Sequence, residues 1–161
     1  MGCEVNILRI VENIKGKFER KIHRGVWCLF VDLKSAFDTV DHGILFEKMR
    51  KLEIKEDLIQ TIEWLYRQTK FKTRQEEIKI GQGVIQDGVI SPTLFLIMFN
   101  DLLEELSKKG YKVFAYADDL AIVGKNKFKL KDAIDIVSAW TFKNRMKVNK
   151  KKSGIIFFKK K

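Results

Sequence analysis

The spacing of apolar residues along this chain alternates between that typical of helices and that typical of strands. In five segments apolar residues recur every three or four positions, which places them on one face of a helix. Runs rich in β-branched and aromatic residues separate these segments and favour strands. The predicted helices are residues 4–22, 42–51, 56–67, 91–108 and 128–147, and the predicted strands are 26–31, 72–80, 112–115, 120–123 and 154–158.

The order of these elements predicts an α+β fold. A buried strand, two helices, a polar segment that forms an exposed strand or hairpin, a helix, a hairpin, a helix and a last strand follow one another, with no internal repeat and no domain boundary. An antiparallel sheet of the split β-α-β-β-α-β type, with helices on one face, accommodates this order. Ser91 is expected to cap the helix that it opens, with Pro92 in the first helical position.

Three aspartates lie at the ends of predicted strands. Asp32 follows the buried run 26–31, and the adjacent Asp118 and Asp119 lie at the turn of the hairpin. The predicted sheet makes these places neighbours, so that Asp32 faces Asp118 and three like charges repel one another. Two divalent cations would balance the charge and would catalyse phosphoryl transfer. The alternative is an ordinary solvated Asp-Asp turn.

Charge is distributed unevenly along the 161 residues, a length that suits one domain. The net charge is +11, and residues 125–161 account for all of it, with thirteen Lys and Arg against two Asp. This asymmetry favours a polyanionic partner, and a solvated Lys-rich tail explains it equally well. Cys3 and Cys28 lack metal-ligand spacing, which predicts reduced thiols in an intracellular protein. No apolar run reaches the length of a membrane span.

Four segments of the chain form a recognisable series: 30–42 (FVDLKSAFDTVDH), 83–95 (GVIQDGVISPTLF), 116–119 (YADD), and Trp140 with 149–153 (NKKKS). In this order they resemble motifs A, B, C and D of a reverse transcriptase palm, and the form is closest to that of non-LTR (LINE-type) retrotransposons. Each segment alone is a modest signal, whereas four in family order are a strong one. The resemblance covers nearly the whole chain, so that residues 1–161 are expected to form a single palm domain.

The resemblance implies an RNA-directed DNA polymerase that uses two Mg²⁺ ions, or Mn²⁺, with an RNA template, a DNA primer and deoxynucleoside triphosphates. Asp32 and Asp118 would be the principal metal ligands, with Asp119 beside them and the Leu33 carbonyl completing one shell. Lys152 would be the general acid for the pyrophosphate leaving group, and its alternative role is that of one more basic residue. Access to nuclear DNA would place such an enzyme in the nucleus.

The nucleotide-binding residues are also implied by the resemblance. The backbone amides of Lys34, Ser35, Ala36 and Phe37 match the segment that holds the triphosphate. Phe37 would exclude a ribose 2′-hydroxyl, and its alternative is an ordinary core aromatic. Gln86 would contact the nucleotide and the template. Asp38 and His42 are expected to be structural, and Trp140 to lie in the core.

Two departures from the family leave a second interpretation open. Motif B usually reads Pro-Gln-Gly, and here it reads Ile85-Gln86-Asp87, which puts a negative side chain where the backbone should approach the nucleotide. Most of the fingers and all of the thumb are also expected to lie outside these 161 residues. The chain is therefore either the palm of a retroelement polymerase or an inactive relic that binds RNA or protein as a basic structural component.

Overall fold

A computed structural model describes residues 8, 10–16, 25–68, 70–72, 77–79, 81–85, 88–124 and 126–159. Residues 10–16 are helical (α1), and the rest of the predicted helix 4–22 lies mostly outside the described residues. The other elements, in chain order, are β1 (Gly25–Val31), α2 (His42–Lys51), α3 (Glu56–Gln68), β2 (Lys70–Lys72), β3 (Glu77–Lys79), α4 (Ser91–Lys108), β4 (Lys112–Tyr116), β5 (Asp119–Gly124), α5 (Lys127–Lys143) and β6 (Gly154–Lys159).

The chain divides into two compact units, and the division falls within α4. The first unit comprises Met1–Lys34 and Asp101–Lys161, and the second comprises Ser35–Asn100. The described residues include no helix long and apolar enough to cross a membrane.

The first unit is built on a four-stranded antiparallel sheet in the order β4-β5-β1-β6. This is the strand order of the predicted split β-α-β-β-α-β fold, so the α+β prediction is confirmed. In the register between β1 and β5, Val31 lies opposite Leu120. The register therefore brings the end of β1 next to the start of β5.

Both faces of the sheet are packed against helices, whereas the sequence predicted helices on one face; the difference arises because α1, which precedes β1, packs on the second face. Val26 and Cys28 on β1 form a cluster with Ala121 and Val123 on β5, and Ile14 of α1 packs on this face. The opposite face carries α5, whose Leu130 side chain leaves no room for a Cβ at Gly124. Cys28 is buried and forms no disulfide with a described residue, and Cys3 lies outside the described residues.

The second unit packs α2, α3 and the first part of α4 together. Its fully buried side chains include Leu45, Met49, Ile59 and Phe95. The predicted exposed segment 72–80 forms the hairpin of β2 and β3 where it is described. Asp41 caps α2, because its carboxylate accepts a hydrogen bond from the Ile44 amide at 3.0 Å.

Two helix ends differ from the predictions. Helix α5 ends at Lys143 rather than at 147, since Asn144 forms the C-cap and Arg145 adopts a left-handed φ of 56°. Ser91 does not act as the predicted cap: its Oγ is buried and has no hydrogen-bond partner among the described residues. Helix α4 nevertheless begins at Ser91, with Pro92 in its first turn.

Candidate active site

Asp32 is held at the end of β1 by the segment between α5 and β6. The Asn149 amide donates to the Asp32 carbonyl at 2.8 Å, and Asn149 Nδ2 donates to Asp32 Oδ2 at 2.8 Å. The Asp32 amide donates to Ser153 Oγ at 3.0 Å. Both backbone polar groups and one carboxylate oxygen of Asp32 are thus fixed by two residues, which orients a side chain that is only 16% exposed.

Asp118 and Asp119 occupy different positions in the hairpin of β4 and β5. Tyr116 pairs with Asp119, so the loop consists of Ala117 and Asp118, and Asp119 is the first residue of β5 rather than part of the turn. Ala117 has a φ of 50°, a left-handed conformation that costs an L-residue about 1–2 kcal/mol. The turn is therefore strained next to its carboxylates.

The sheet register brings Asp32 close to this hairpin. Asp32 follows Val31 directly and Asp119 precedes Leu120 directly, so the pair Val31 and Leu120 brings the two aspartates near each other. Lys152 Nζ lies 3.9 Å from Asp32 Oδ2, and its side chain is 74% exposed. Asp32, Asp119 and Lys152 also line one cleft of about 250 Å³, whose other walls are mostly apolar.

The electrostatics of Asp119 report the accumulation of negative charge. Desolvation raises the pKa of its carboxyl, the charges of Asp118 and Asp32 raise it further, and Lys152 opposes them. Carboxylate oxygens are the donors that Mg²⁺ prefers, so the type and charge of this donor set fit a divalent cation. Among the described residues, no three His, Cys, Asp or Glu side chains are arranged to hold an ion.

The residues directly after Asp32 are engaged with the segment that follows α5. Leu33 is buried and forms an isolated antiparallel bridge with Val148. The Lys34 amide donates to the Lys147 carbonyl at 2.8 Å. In this arrangement the Lys34 amide is committed to the protein rather than open to a triphosphate.

The rest of the predicted nucleotide-binding segment belongs to the second unit. Ser35 has a φ of 44°, and Ala36 is buried. The Phe37 ring is partly buried and stacks on Phe95 with 4.7 Å between ring centroids. Gln86, like Asp87, lies outside the described residues.

A second set of contacts fixes residues 81–85 against the turn before α2. His42 Nε2 lies 2.6 Å from the Gly83 carbonyl oxygen, and the Gly83 amide donates to the Val40 carbonyl at 2.7 Å. Gly83 has a φ of 92°, and a Cβ there would lie 2.9 Å from the Asp38 carbonyl oxygen. His42 is structural, as predicted. Trp140 is buried, also as predicted, and its Nε1 donates to Asp101.

The roles of Asn149 and Ser153 were not predicted from the sequence. Both lie in the segment 149–153, whose resemblance to motif D implies a role for Lys152 alone. Their residue types indicated such a role, because Asn and Ser side chains can form hydrogen bonds with backbone groups in an irregular segment. Their shared partner lies 117 residues from Asn149 along the chain, and only the folded sheet reveals it.

Comparisons with known proteins identify relatives over most of the chain. The family model of the reverse transcriptases (RNA-dependent DNA polymerases) matches residues 6–160. The Pol polyprotein of the type-1 retrotransposable element R2 of Nasonia vitripennis is 26% identical over 129 residues, which are 72% of this chain and 13% of that protein. The RNA-directed DNA polymerase of the mobile element jockey of Drosophila melanogaster is 25% identical over 145 residues, which are 80% of this chain and 16% of that protein.

Solved structures share the fold. Telomerase of Candida tropicalis, in complex with the TWJ fragment of telomeric RNA, matches with a TM-score of 0.75 at 16% identity, over 96% of this chain and 29% of that one. The apo form of the same telomerase gives a TM-score of 0.76 over 96% of this chain and 32% of that one. The fold is thus that of a polymerase palm. The chain spans less than a fifth of the two retrotransposon proteins above.

Proposed function

Since the chain belongs to the reverse transcriptase family, with similarity to proteins of non-LTR retrotransposons, we propose that residues 1–161 are the palm of an RNA-directed DNA polymerase. The proposed reaction is template-directed transfer of a deoxynucleotide to a primer 3′-hydroxyl. The primer oxygen attacks the α-phosphorus, and pyrophosphate leaves. The partners are an RNA template, a DNA primer and deoxynucleoside triphosphates, and the site of action is the nucleus.

One observation carries the proposal. Asp32 and Asp119 lie near each other at the ends of the paired strands β1 and β5, and burial together with the charges of Asp118 and Asp32 raises the pKa of Asp119. Repulsion among these carboxylates opposes folding. A bound divalent cation would offset that repulsion, and such a cation suits the reverse transcriptase family.

Asp32 and Asp118 would hold two Mg²⁺ or Mn²⁺ ions, together with Asp119 and the Leu33 carbonyl. When bound, the ions would favour ionisation of the primer hydroxyl and neutralise the triphosphate. Asn149 restrains Asp32 Oδ2 through its side-chain amide. The orientation of Asp32 is therefore set by the protein before a substrate arrives, which limits the reorganisation that catalysis requires.

Lys152 would protonate the leaving pyrophosphate. Its exposed ammonium group is near Asp32 and is free to turn toward a negatively charged ligand. Phe37 would exclude ribonucleotides, and the stacked Phe95 ring behind it would resist its displacement. Ser35 and Ala36 would supply amides for the triphosphate, and Lys34 would do so after its bond to Lys147 opens. Gln86 would contact the nucleotide and template.

A second candidate function is binding of RNA or protein without catalysis. Two observations favour it: Asp87 replaces the Gly of the family motif, and the described carboxylates form no ready metal site. The basic residues of 125–161 would then bind phosphates regardless of the aspartates.

Primer extension distinguishes the two candidates. The 161-residue chain and its Asp118→Asn variant would be incubated with poly(rA)/oligo(dT), dTTP and Mg²⁺. Incorporation by the parent chain that Asp118→Asn abolishes supports the polymerase. Absence of incorporation from a chain that still binds the template, with the same affinity in both proteins, supports the non-catalytic function.

A further inference from the structure

Strand β6 is an edge of the sheet with an apolar surface. It pairs with β1 on one side, and no other described strand pairs with it. Ile155, Ile156 and Phe157 are 43%, 48% and 45% exposed. Because successive side chains point to opposite faces, the exposed apolar surface lies on both sides of the strand. The other edge strand, β4, has Val113, Phe114 and Ala115 partly buried.

An apolar cleft adjoins this edge. Its volume is about 290 Å³, and it lies between α5, the end of β1 and the start of β6. Its walls include Leu29 and Val31 of β1, Val137 of α5 and Ile155 of β6. At Gly154, where β6 begins, an added Cβ would meet nothing within 4 Å. The strand edge and the cleft are thus open to the same incoming chain.

The chemistry of this surface selects a polypeptide. The outer N–H and C=O groups of an edge strand are satisfied by another strand. An apolar side chain of that strand could enter the cleft. Nucleic acid offers no matching row of alternating donors and acceptors.

Charge determines which polypeptide fits. Exposed Lys150, Lys151 and Lys152 precede β6, and exposed Lys159 ends it. A second copy paired in parallel would align each of these lysines with itself. An antiparallel copy would bring Lys159 near the other copy's lysine run. Like charges so placed repel, so a second copy is disfavoured in both directions.

We propose that β6 is a docking edge for an extended apolar segment of a protein partner, with acidic residues at both ends of that segment. The segment adds a fifth strand to the sheet, places one side chain in the cleft and pairs its carboxylates with the lysines. This interaction uses none of the catalytic aspartates, and Lys152 is the one catalytic candidate that it shares with the proposed polymerase function.

The probe is a synthetic nine-residue peptide of alternating Val and Thr with two Glu at each end. Binding to the 161-residue chain is measured by fluorescence anisotropy of the labelled peptide. A peptide with Lys ends is expected to bind at least tenfold more weakly at low salt. A peptide N-methylated at alternate residues, on the edge that would pair with β6, is expected not to bind, because the strand can no longer form.

Ile155→Glu and Ile156→Glu each place a negative charge on one face of β6, and each is expected to weaken binding of the Glu-ended peptide at least tenfold. Phe128→Glu is the matched control: it makes the same charge change at an 85% exposed aromatic on α5 and should alter affinity less than twofold. Circular dichroism verifies that each variant is folded. The peptide affinity of the better folded β6 variant is then compared with that of Phe128→Glu.

Several outcomes would overturn the proposal. These are no binding of the Glu-ended peptide, equal binding of the N-methylated peptide, equal losses of affinity in Phe128→Glu and the β6 variants, and dimerisation of the parent chain that Ile155→Glu abolishes. The last outcome would make a second copy the occupant. RNA binding that Ile155→Glu abolishes, without loss of peptide binding, would likewise assign the edge to nucleic acid.

Discussion

At the scale of single residues, the candidate site depends on groups that position the aspartates as much as on the aspartates themselves. Asn149 and Ser153 satisfy both backbone groups of Asp32, and Asn149 also holds its carboxylate. Hydrogen bonds to charged groups contribute about 1.5–3 kcal/mol to stability, more than neutral ones. Removal of these hydrogen bonds should therefore affect both folding and metal binding.

Asn149→Ala is expected to destabilise the chain by about 1–2 kcal/mol, because it removes a charged-group hydrogen bond from a partly buried pair. Asn149→Asp should be less stable still, since it places a second carboxylate beside Asp32, and added Mg²⁺ should restore part of its stability. Urea unfolding with and without Mg²⁺ measures both effects. Lys151→Ala, on the same segment and exposed, is the control. If Asn149→Asp equals Asn149→Ala and ignores Mg²⁺, Asn149 does not face a cation site.

Asp119→Asn is expected to raise the melting temperature at pH 7, by about 1–3 °C, because burial and the charges of Asp118 and Asp32 disfavour the ionised form of Asp119. The folded-state pKa of Asp119 is raised, so its favourable contribution is present below the unfolded pKa of about 4 and is lost as pH rises through the folded value. The advantage of the variant should therefore shrink toward zero as pH falls below about 4, and added Mg²⁺ should reduce it at pH 7. Thermal melts across pH measure it; an advantage that is constant from pH 3 to 7 would contradict the assignment.

At the scale of elements, the sequence predicted the helices and strands well where local pattern decides them. The runs 26–31 and 154–158 and the helix 42–51 correspond to β1, β6 and α2 within a residue. The end of α5 was missed because Arg145 adopts a left-handed φ that its residue type does not favour. The hydrogen bonds of Asn149 and Ser153 to Asp32 were not predicted, because these residues approach Asp32 only when the sheet has formed. The sequence could identify the three aspartates as candidate metal ligands from their residue type, whereas only the fold of the sheet shows which of them lie close together.

Gly83→Ala is expected to destabilise the chain by about 2–3 kcal/mol, since φ is 92° and the new Cβ would approach the backbone of Asp38. Gly81→Ala, two residues earlier, is the matched control, because nothing lies within 4 Å of its Cβ and its φ is ordinary. Denaturant midpoints of the two variants provide the comparison. Equal midpoints would show that residues 81–85 are not held against the turn before α2.

At the scale of the whole molecule, the excess charge belongs to residues 125–161, which include α5, the segment that holds Asp32 and β6. The same stretch therefore supplies positioning groups, the general-acid candidate Lys152 and the basic surface. Under the proposed function, catalytic geometry and nucleic-acid affinity would be coupled through this one part of the chain. Experiments can still separate the two, because substitution of lysines should change the salt dependence of RNA binding and substitution of the aspartates should not.

Replacement of both Lys150 and Lys151 by Gln is expected to weaken binding of single-stranded RNA and to flatten its salt dependence. For every RNA phosphate that the variant no longer neutralises, the magnitude of the negative slope of log K against log salt should decrease by about 0.7. Lys55 and Lys109, exposed elsewhere, are the matched control pair for the same double substitution. Filter binding from roughly 50 to 300 mM KCl, over which screening of exposed charges increases, measures the slope. Equal slopes for both pairs would assign binding to net charge alone.

The central claim is that Asp32, Asp118 and Asp119 form a divalent cation site, and Mn²⁺ binding followed by electron paramagnetic resonance tests it most directly. The chain is expected to bind two Mn²⁺ ions, in competition with Mg²⁺, and the double variant Asp32→Asn with Asp118→Asn is expected to bind none at the same concentrations. Asp57→Asn with Asp135→Asn removes the same charge from exposed positions and should retain both ions. Equal Mn²⁺ binding by the parent chain and by the Asp32 and Asp118 double variant would contradict the claim.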